Sequence, residues 1–333
     1  MNAIGERIRL TVFGEENSAA AGVVIDGLPA GEAVDIVGIR EELERVVPGE
    51  AELGSAGSKK EEPVITTGIF EGRTTGAPLC ILLRSTDRST APNPPNPPNL
   101  PRPGFPDLAA LTNRVGHVDY RNGVPYIGRV TSAIKVAGAV CGQLLARRGV
   151  RVQARVVQIG AARSDELNYD MKKELLDARS GGDSVGGVVE CVAVGLPIGL
   201  GAPVFGGIEG KISAMLFALP GVRGVEFGAG FGVAEMRGSV TNDPIRAEDG
   251  RVFMATNNAG GVIGGLTNGM PLVVRCAIAP TPGIAREQNT VDLATMSNTT
   301  IRIRGQHEPS LAPRSVISVE AAVTICLLDA MLD

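Results

Sequence analysis

Asp26-Gly27-Leu28-Pro29-Ala30-Gly31 is echoed by Val194-Gly195-Leu196-Pro197-Ile198-Gly199, and this echo decides the fold. A second pair follows in the same order. Gly72–Leu79 reads GRTTGAPL and Gly265–Leu272 reads GLTNGMPL. Between the members of each pair lies a helix-like stretch closed by Pro-Gly, at Pro48-Gly49 and at Pro220-Gly221. Glycines and prolines at matching offsets mark turns of one type. Three such correspondences in one order imply an ancient duplication, with two similar halves packed about a pseudo-two-fold axis. We place the halves at about 1–150 and 151–333 of a single domain.

The elements around these turns follow from periodicity. Arg7–Phe13 and Ala21–Ile25 read as strands, and Asp35–Val47 as a helix capped by Asp35. Pro63–Phe70 and Pro78–Arg84 form a hairpin around Gly72–Gly76. Tyr126–Gly149 is the longest helix, with Ile134, Ala137, Val140, Cys141, Leu144 and Leu145 on its apolar face. In the second half, Val150–Gly160 and Gly187–Val194 are strands around a helix Ser164–Ala178. Glu209–Leu219 is a helix, Gly224–Val233 a strand pair turning at Gly228–Gly230, Leu272–Ala279 a buried strand and Val316–Leu332 the closing helix. Mixed helices and strands make the class α+β. Residues 91–106 hold eight prolines in sixteen positions, so this stretch reads as an exposed polyproline-like loop.

Composition narrows the function. The chain of 333 residues carries a net charge of −4, and no Lys/Arg run exceeds two residues, which argues against nucleic acid. With 44 glycines and 3% aromatic residues, the core must come from Val, Ile, Leu and Ala. Five scattered cysteines, no CxxC and two histidines argue against a metal site and for reduced thiols in the cytoplasm. The charged N-terminus and the lack of about 18 consecutive apolar residues argue against a signal peptide or a membrane span.

Seven further stretches carry a family resemblance. They are TVFGEENSAAAGVVIDGLPAG from Thr11, GIFEGRTTGAPLCILLRSTD from Gly68, LPRPGFPD from Leu100, DYRNGVPYIGRVTSA from Asp119, GVRGVEFGAGF from Gly221, TNNAGGVIGGLTNG from Thr256 and RGQHEPSLAPRSVISVEA from Arg304. In this order and spacing they resemble the chorismate synthase family. The resemblance implies a β-α-β sandwich with internal duplication, a homotetramer, and reduced FMN as cofactor. It implies 1,4-anti elimination of phosphate from 5-enolpyruvylshikimate 3-phosphate to chorismate. By the same resemblance, Arg45, Arg129 and Arg314 would bind substrate. Asn257, Ala259, Gly264, Pro280 and Thr281 would bind cofactor, and His307 and Glu308 would be catalytic. The family's two histidine positions fall on Asn17 and Phe105. Its third glycine-loop histidine falls on Asn258, its flavin-loop lysine on Ala279 and a C-terminal arginine on Gln306. Asn hydrogen-bonds but supplies no proton at neutral pH, and Phe does neither. Two other functions therefore stand beside the lyase. One is a non-catalytic oligomeric scaffold, and the other a repurposed site for a less charged ligand.

Overall fold

The computed structural model describes residues 2–14, 20–45, 61–85, 97, 99–113, 130–305 and 307–332. Asn17, Lys59, Lys60, His117, Arg129 and Gln306 lie outside the described residues, as do Val46, Val47, Pro125–Ile127 and residues 91–96 of the proline-rich loop.

The first half supplies strands β1 (Ala3–Ile4), β2 (Arg9–Phe13) and β3 (Ala21–Asp26), then helix α1 (Ile36–Glu44). Strands β4 (Glu61–Thr67), β5 (Ile69–Phe70), β6 (Arg73–Thr74) and β7 (Leu79–Ser85) follow, with helices α2 (Asp107–Asn113) and α3 (Val130–Arg147). The second half runs through β8 (Arg151–Ile159), β9 (Ala162–Arg163), α4 (Tyr169–Ser180), β10 (Gly187–Val194), α5 (Ile208–Phe217) and β11 (Val222–Phe227). It continues with α6 (Gly238–Thr241), β12 (Ile245–Glu248), β13 (Arg251–Met254), β14 (Val262–Ile263) and β15 (Leu266–Thr267). Strands β16 (Leu272–Ile278), β17 (Gln288–Asp292) and β18 (Ser297–Ile301) lead to helix α7 (Ala312–Met331).

Each half builds one antiparallel five-stranded sheet, in the orders β1-β2-β3-β7-β4 and β11-β16-β10-β8-β9. The strands β2, β3, β7 and β4 lie side by side in one sheet, and β8, β10, β16 and β11 lie side by side in the other. Period-two alternation sets the inner faces: Leu79, Ile81 and Leu83 of β7 are fully buried, as are Val189, Cys191 and Ala193 of β10. Helices α3 and α7 lie between the sheets. Nearly every residue of α7 from Ala312 to Ala330 is buried, and a helix apolar on all sides belongs in a core. Pro313 in the first turn of α7 is tolerated because that turn has no partner for its N–H.

The repeated turns share atoms as well as sequence. The Thr74 hydroxyl donates to the Pro29 carbonyl (2.5 Å) and accepts from the Glu32 amide (3.0 Å). The Thr267 hydroxyl does the same with Pro197 (2.5 Å) and the Leu200 amide (2.9 Å). Gly27 and Gly195 hold φ of 88° and 85°, and a Cβ at either would strike a carbonyl of the preceding strand's approach, that of Arg7 or of Gly149.

Two expectations are corrected. Gly224–Val233 is not a strand pair. β11 ends at Phe227, pairs with β16, and gives way to a 3₁₀ turn over Gly230–Glu235. Gly228, at φ 54°, packs so tightly that a Cβ would stand 2.1 Å from the Asn258 carbonyl oxygen. Helix α4 starts at Tyr169 rather than Ser164, because the Asn168 side chain caps it by accepting from the Met171 amide at 3.0 Å.

Candidate active site

The stretch Pro101–Asp107 is folded by its own charges. Arg102 donates from Nε to Asp107 Oδ2 (2.6 Å) and from Nη2 to Oδ1 (2.9 Å), and its backbone amide adds a third bond (3.1 Å). Both side chains are about one-tenth exposed. The guanidinium carbon lies 3.9 Å from the Phe105 ring centroid, a cation–π contact. Upstream, Asn99 donates to Asp292 Oδ1 (2.6 Å), and Thr290 donates to the Pro101 carbonyl (2.5 Å). The Asn99 and Ala294 hydrogen bonds hold the Asp292 carboxyl below the usual range. The segment is thus strapped to the β17–β18 hairpin.

That strap brings three of the sequence candidates together. Gly104 packs on Pro282, where a Cβ would stand 2.6 Å from the Pro282 Cβ. The Phe105 ring faces Gly283, and His307 Nδ1 lies 3.0 Å from the Gly283 carbonyl. A carbonyl only accepts, so Nδ1 carries the proton and Nε2 is left for other chemistry. Thr281 sits in the same Pro280–Gly283 loop. Its Oγ1 is buried without a hydrogen-bond partner among the described residues, while its carbonyl accepts from Ser184 (2.6 Å). Next along the chain, Glu308 accepts a hydrogen bond from Arg314 in the first turn of α7.

The other cofactor candidates lie elsewhere. Asn257 uses both amide groups on its own loop: Nδ2 donates to Pro271 (2.8 Å) and Oδ1 accepts from Gly261 (2.7 Å). The Ala259 amide donates to Asp243 Oδ2 (2.9 Å), and the Val273 amide donates to the Gly260 carbonyl (3.0 Å). This loop therefore meets the start of β16, whereas Pro280 and Thr281 follow its end. Seven strand residues separate them, roughly 20 Å at the usual rise. Gly264 lies with the Asn257 end, next to Gly265, whose carbonyl accepts from Ile208.

Arg45 stands at a third place. It bridges Glu42 (3.0 Å) and Glu320 of α7 (2.9 Å), and Glu320 also accepts from the Ala154 amide (2.8 Å). Burial pushes the Glu42 carboxyl up despite the nearby Arg45 charge. Glu42 and Glu320, though not Arg45, line a groove of about 570 Å³ between α1, α3, α7 and β8, together with Gly138 and Gly142. Ile317, Glu320 and Thr324 continue the face of α7 that starts at Arg314. The groove thus runs along the flank of α7 rather than under Phe105 and His307.

Sequence reasoning missed Asp107 and Asp243. The first follows Arg102 closely in RPGFPD, and that short spacing is the available signal. Asp243 gathers Thr256, Asn258 and Ala259 at 2.6, 2.7 and 2.9 Å, which overcomes partial burial and holds its carboxyl below the usual range. Among the described residues, no group of three or more His, Cys, Asp and Glu could hold a metal ion. No described helix is long and apolar enough to cross a membrane.

The chain is similar to known proteins along nearly its whole length. The family model described as chorismate synthase matches residues 8–332. The chain is 39% identical to the chorismate synthase of Methanosarcina acetivorans, covering 99% of this chain and 96% of that protein. It is 40% identical to the chorismate synthase of Thermococcus kodakarensis, covering 98% and 97%. A crystal structure of chorismate synthase superposes with a TM-score of 0.75 at 25% identity, over 99% of this chain and 93% of the other. A match of fold, turns and sequence along nearly the whole length leaves one conclusion: the chain belongs to the chorismate synthase family.

Proposed function

We propose that this chain is a lyase of the chorismate synthase type in aromatic amino-acid biosynthesis. It acts in the cytoplasm as a homotetramer, releasing phosphate from 5-enolpyruvylshikimate 3-phosphate to give chorismate. The observation that carries this reading is the nearly whole-length family match, with relatives of that name at about 40% identity. The Thr281 hydroxyl, buried and without a partner among the described residues, fits the hydrogen-bonding edge of a flavin ring. Reduced FMN, when bound, supplies electron density to the substrate.

The chain's own residues do the remaining work. Thr281 would hold the ring edge of the bound flavin. His307, oriented by the Gly283 carbonyl, has Nε2 available for a proton near the leaving group. Arg314, steered by Glu308, supplies positive charge. With Phe105 and Asn17 at the family's histidine positions, two positioned proton donors are missing. Each missing general acid slows the chemical step by about 10²–10⁴, so we assign a slow enzyme.

A second reading is favoured by the ion pairs. Arg102, Arg314 and Arg45 are each engaged by a carboxylate of the chain itself. That arrangement suits a ligand less charged than a phosphate ester, or a subunit that no longer turns over. Anaerobic titration with reduced FMN, followed by assay of chorismate formation, separates the two. Flavin binding with slow turnover supports the lyase. No flavin binding at high micromolar concentration, together with no chorismate, overturns it in favour of the second reading.

A further inference from the structure

The groove between α1, α3, α7 and β8 has the volume of a small-molecule site, at about 570 Å³. Helices α1 and α3 cross it in opposite directions. At one end Gln143 of α3 accepts from the Asp35 amide (2.8 Å) and donates to the Asp35 carbonyl (2.9 Å). At the other end Glu42 lies in the field of Lys135 and Glu320. The step from Asp35 to Glu42 along α1 makes the groove about 10 Å long at the helical rise.

Its lining divides into a charged end and a flat middle. Lys135, Ala139, Gly142 and Ala146 recur at helical spacing and share one face of α3. Beyond Lys135 that face carries nothing larger than a methyl group, and Ile317 of α7 and Val152 of β8 add apolar walls. At the charged end, Arg45 is shared by Glu42 (3.0 Å) and Glu320 (2.9 Å), and Glu320 accepts from the Ala154 amide (2.8 Å) as well. Burial pushes the Glu42 carboxyl up against the pull of Arg45 and Lys135, and the Glu320 charge pushes the same way. Glu42 is thus a carboxylate short of positive charge, with Lys135 close by.

We infer that the groove binds a free amino acid with an aromatic side chain. Its ammonium takes Glu42, its carboxylate takes Lys135, and its ring lies flat on Ala139, Gly142 and Ala146. An amino acid carries both charges on one carbon and is neutral overall, which suits an end that offers a carboxylate and an ammonium together. The floor favours a planar body over a branched one, because a ring meets methyl groups and bare backbone across its whole face. Asp35 lines the far end and can accept from a phenol hydroxyl or an indole N–H. The inference uses the groove alone and stands apart from the lyase reading.

Isothermal titration of the full chain with L-phenylalanine, L-tyrosine and L-tryptophan, each compared with L-leucine, tests it. At least one aromatic amino acid should bind, and more tightly than leucine. Gly142→Leu should abolish that binding and keep the fold. Outside its own helix, a Cβ on Gly142 meets only Thr324 Cγ2, at 3.7 Å, so the added side chain fills the groove rather than striking a backbone. Glu42→Gln removes the charge that faces the ammonium and should weaken binding about tenfold or more, and Lys135→Met should do the same for the carboxylate. No binding of an aromatic amino acid at low millimolar concentration overturns the inference. Binding that leucine matches, or that Gly142→Leu leaves unchanged, overturns it too. Should Gly142→Leu misfold, Glu42→Gln and Lys135→Met decide, and unchanged affinity in both overturns the inference.

Discussion

Gly138 of α3 meets Ala321 of α7 at the closest point of the central helix layer, where a Cβ on Gly138 would stand 2.3 Å from the Cβ and 2.6 Å from the Cα of Ala321. No real pair of side chains approaches so closely, so the two backbones sit at a distance only glycine permits. Gly138→Ala should destabilise the fold by about 1–3 kcal/mol, outweighing the roughly 1 kcal/mol gain in helix propensity. Urea unfolding measures it, and Ala321→Gly in the same chain should recover only part of the loss, because the Cα of residue 321 would still stand 2.6 Å from the added Cβ. A more stable Gly138→Ala would show that the helices are farther apart.

Thr74 and Thr267 give a paired prediction. Each hydroxyl bridges a proline carbonyl and an amide inside its repeated turn. Replacing either by Val leaves both partners unsatisfied and should cost about 1–3 kcal/mol. The losses should be similar in the two halves and additive in the double variant, because the sites share no partner. A large effect at one site only would mean that the halves have diverged in what their turns carry.

Restoring histidine tests the missing proton donors. The double variant with Asn17→His and Phe105→His should raise the rate of chorismate formation at neutral pH by roughly 10²–10⁴ for each donor restored, with a pH profile that gains an ionisation near 6.5. Phe105→His alone also removes the ring under Arg102, so its melting temperature should fall. An unchanged rate in a folded, flavin-binding double variant would place the defect elsewhere.

Thiol reactivity should divide the cysteines. Cys141, Cys276 and Cys326 are buried, and burial pushes each up to about 12, while Cys191 moves in the same direction. Only Cys80 is partly exposed. In native protein at neutral pH, a disulfide reagent should label Cys80 first and the other four only on unfolding. A raised thiol value favours the folded state less as pH climbs. Stability should therefore fall from the ordinary value of 9.0 upward towards about 12.

Asp243 predicts the opposite sign. Its folded value is lowered, so its contribution is present above the ordinary 3.8 and is lost as pH falls through the depressed value. Asp243→Asn should lower the melting temperature at pH 7, and the gap to wild type should narrow in acid. A gap that does not depend on pH would assign the role of Asp243 to shape rather than charge.

The repeated turns were legible because they are written in glycine, proline and threonine at fixed offsets, whereas the strand order within each sheet was not read from the sequence. Boundaries were less so: the helix expected from Ser164 starts at Tyr169, capped by Asn168 through a contact that periodicity does not report. Of the candidate site, the meeting of Phe105, Thr281 and His307 was legible only through the family resemblance. The Arg102–Asp107 pair was not, since its strength comes from burial set by the β17–β18 hairpin. Nor does order along the chain reveal that Asn257 and Thr281 flank opposite ends of one strand.

The short passage from α3 into β8, through Arg148, Gly149 and Val150, is where one sheet's chain becomes the other's. Severed there, each fragment would keep its four main strands and lay bare one oily helical flank, α3 on one piece and α7 on the other. Neither fragment should remain soluble by itself. Produced together, they should recombine, as the products of a once-single gene for half the molecule would have had to do.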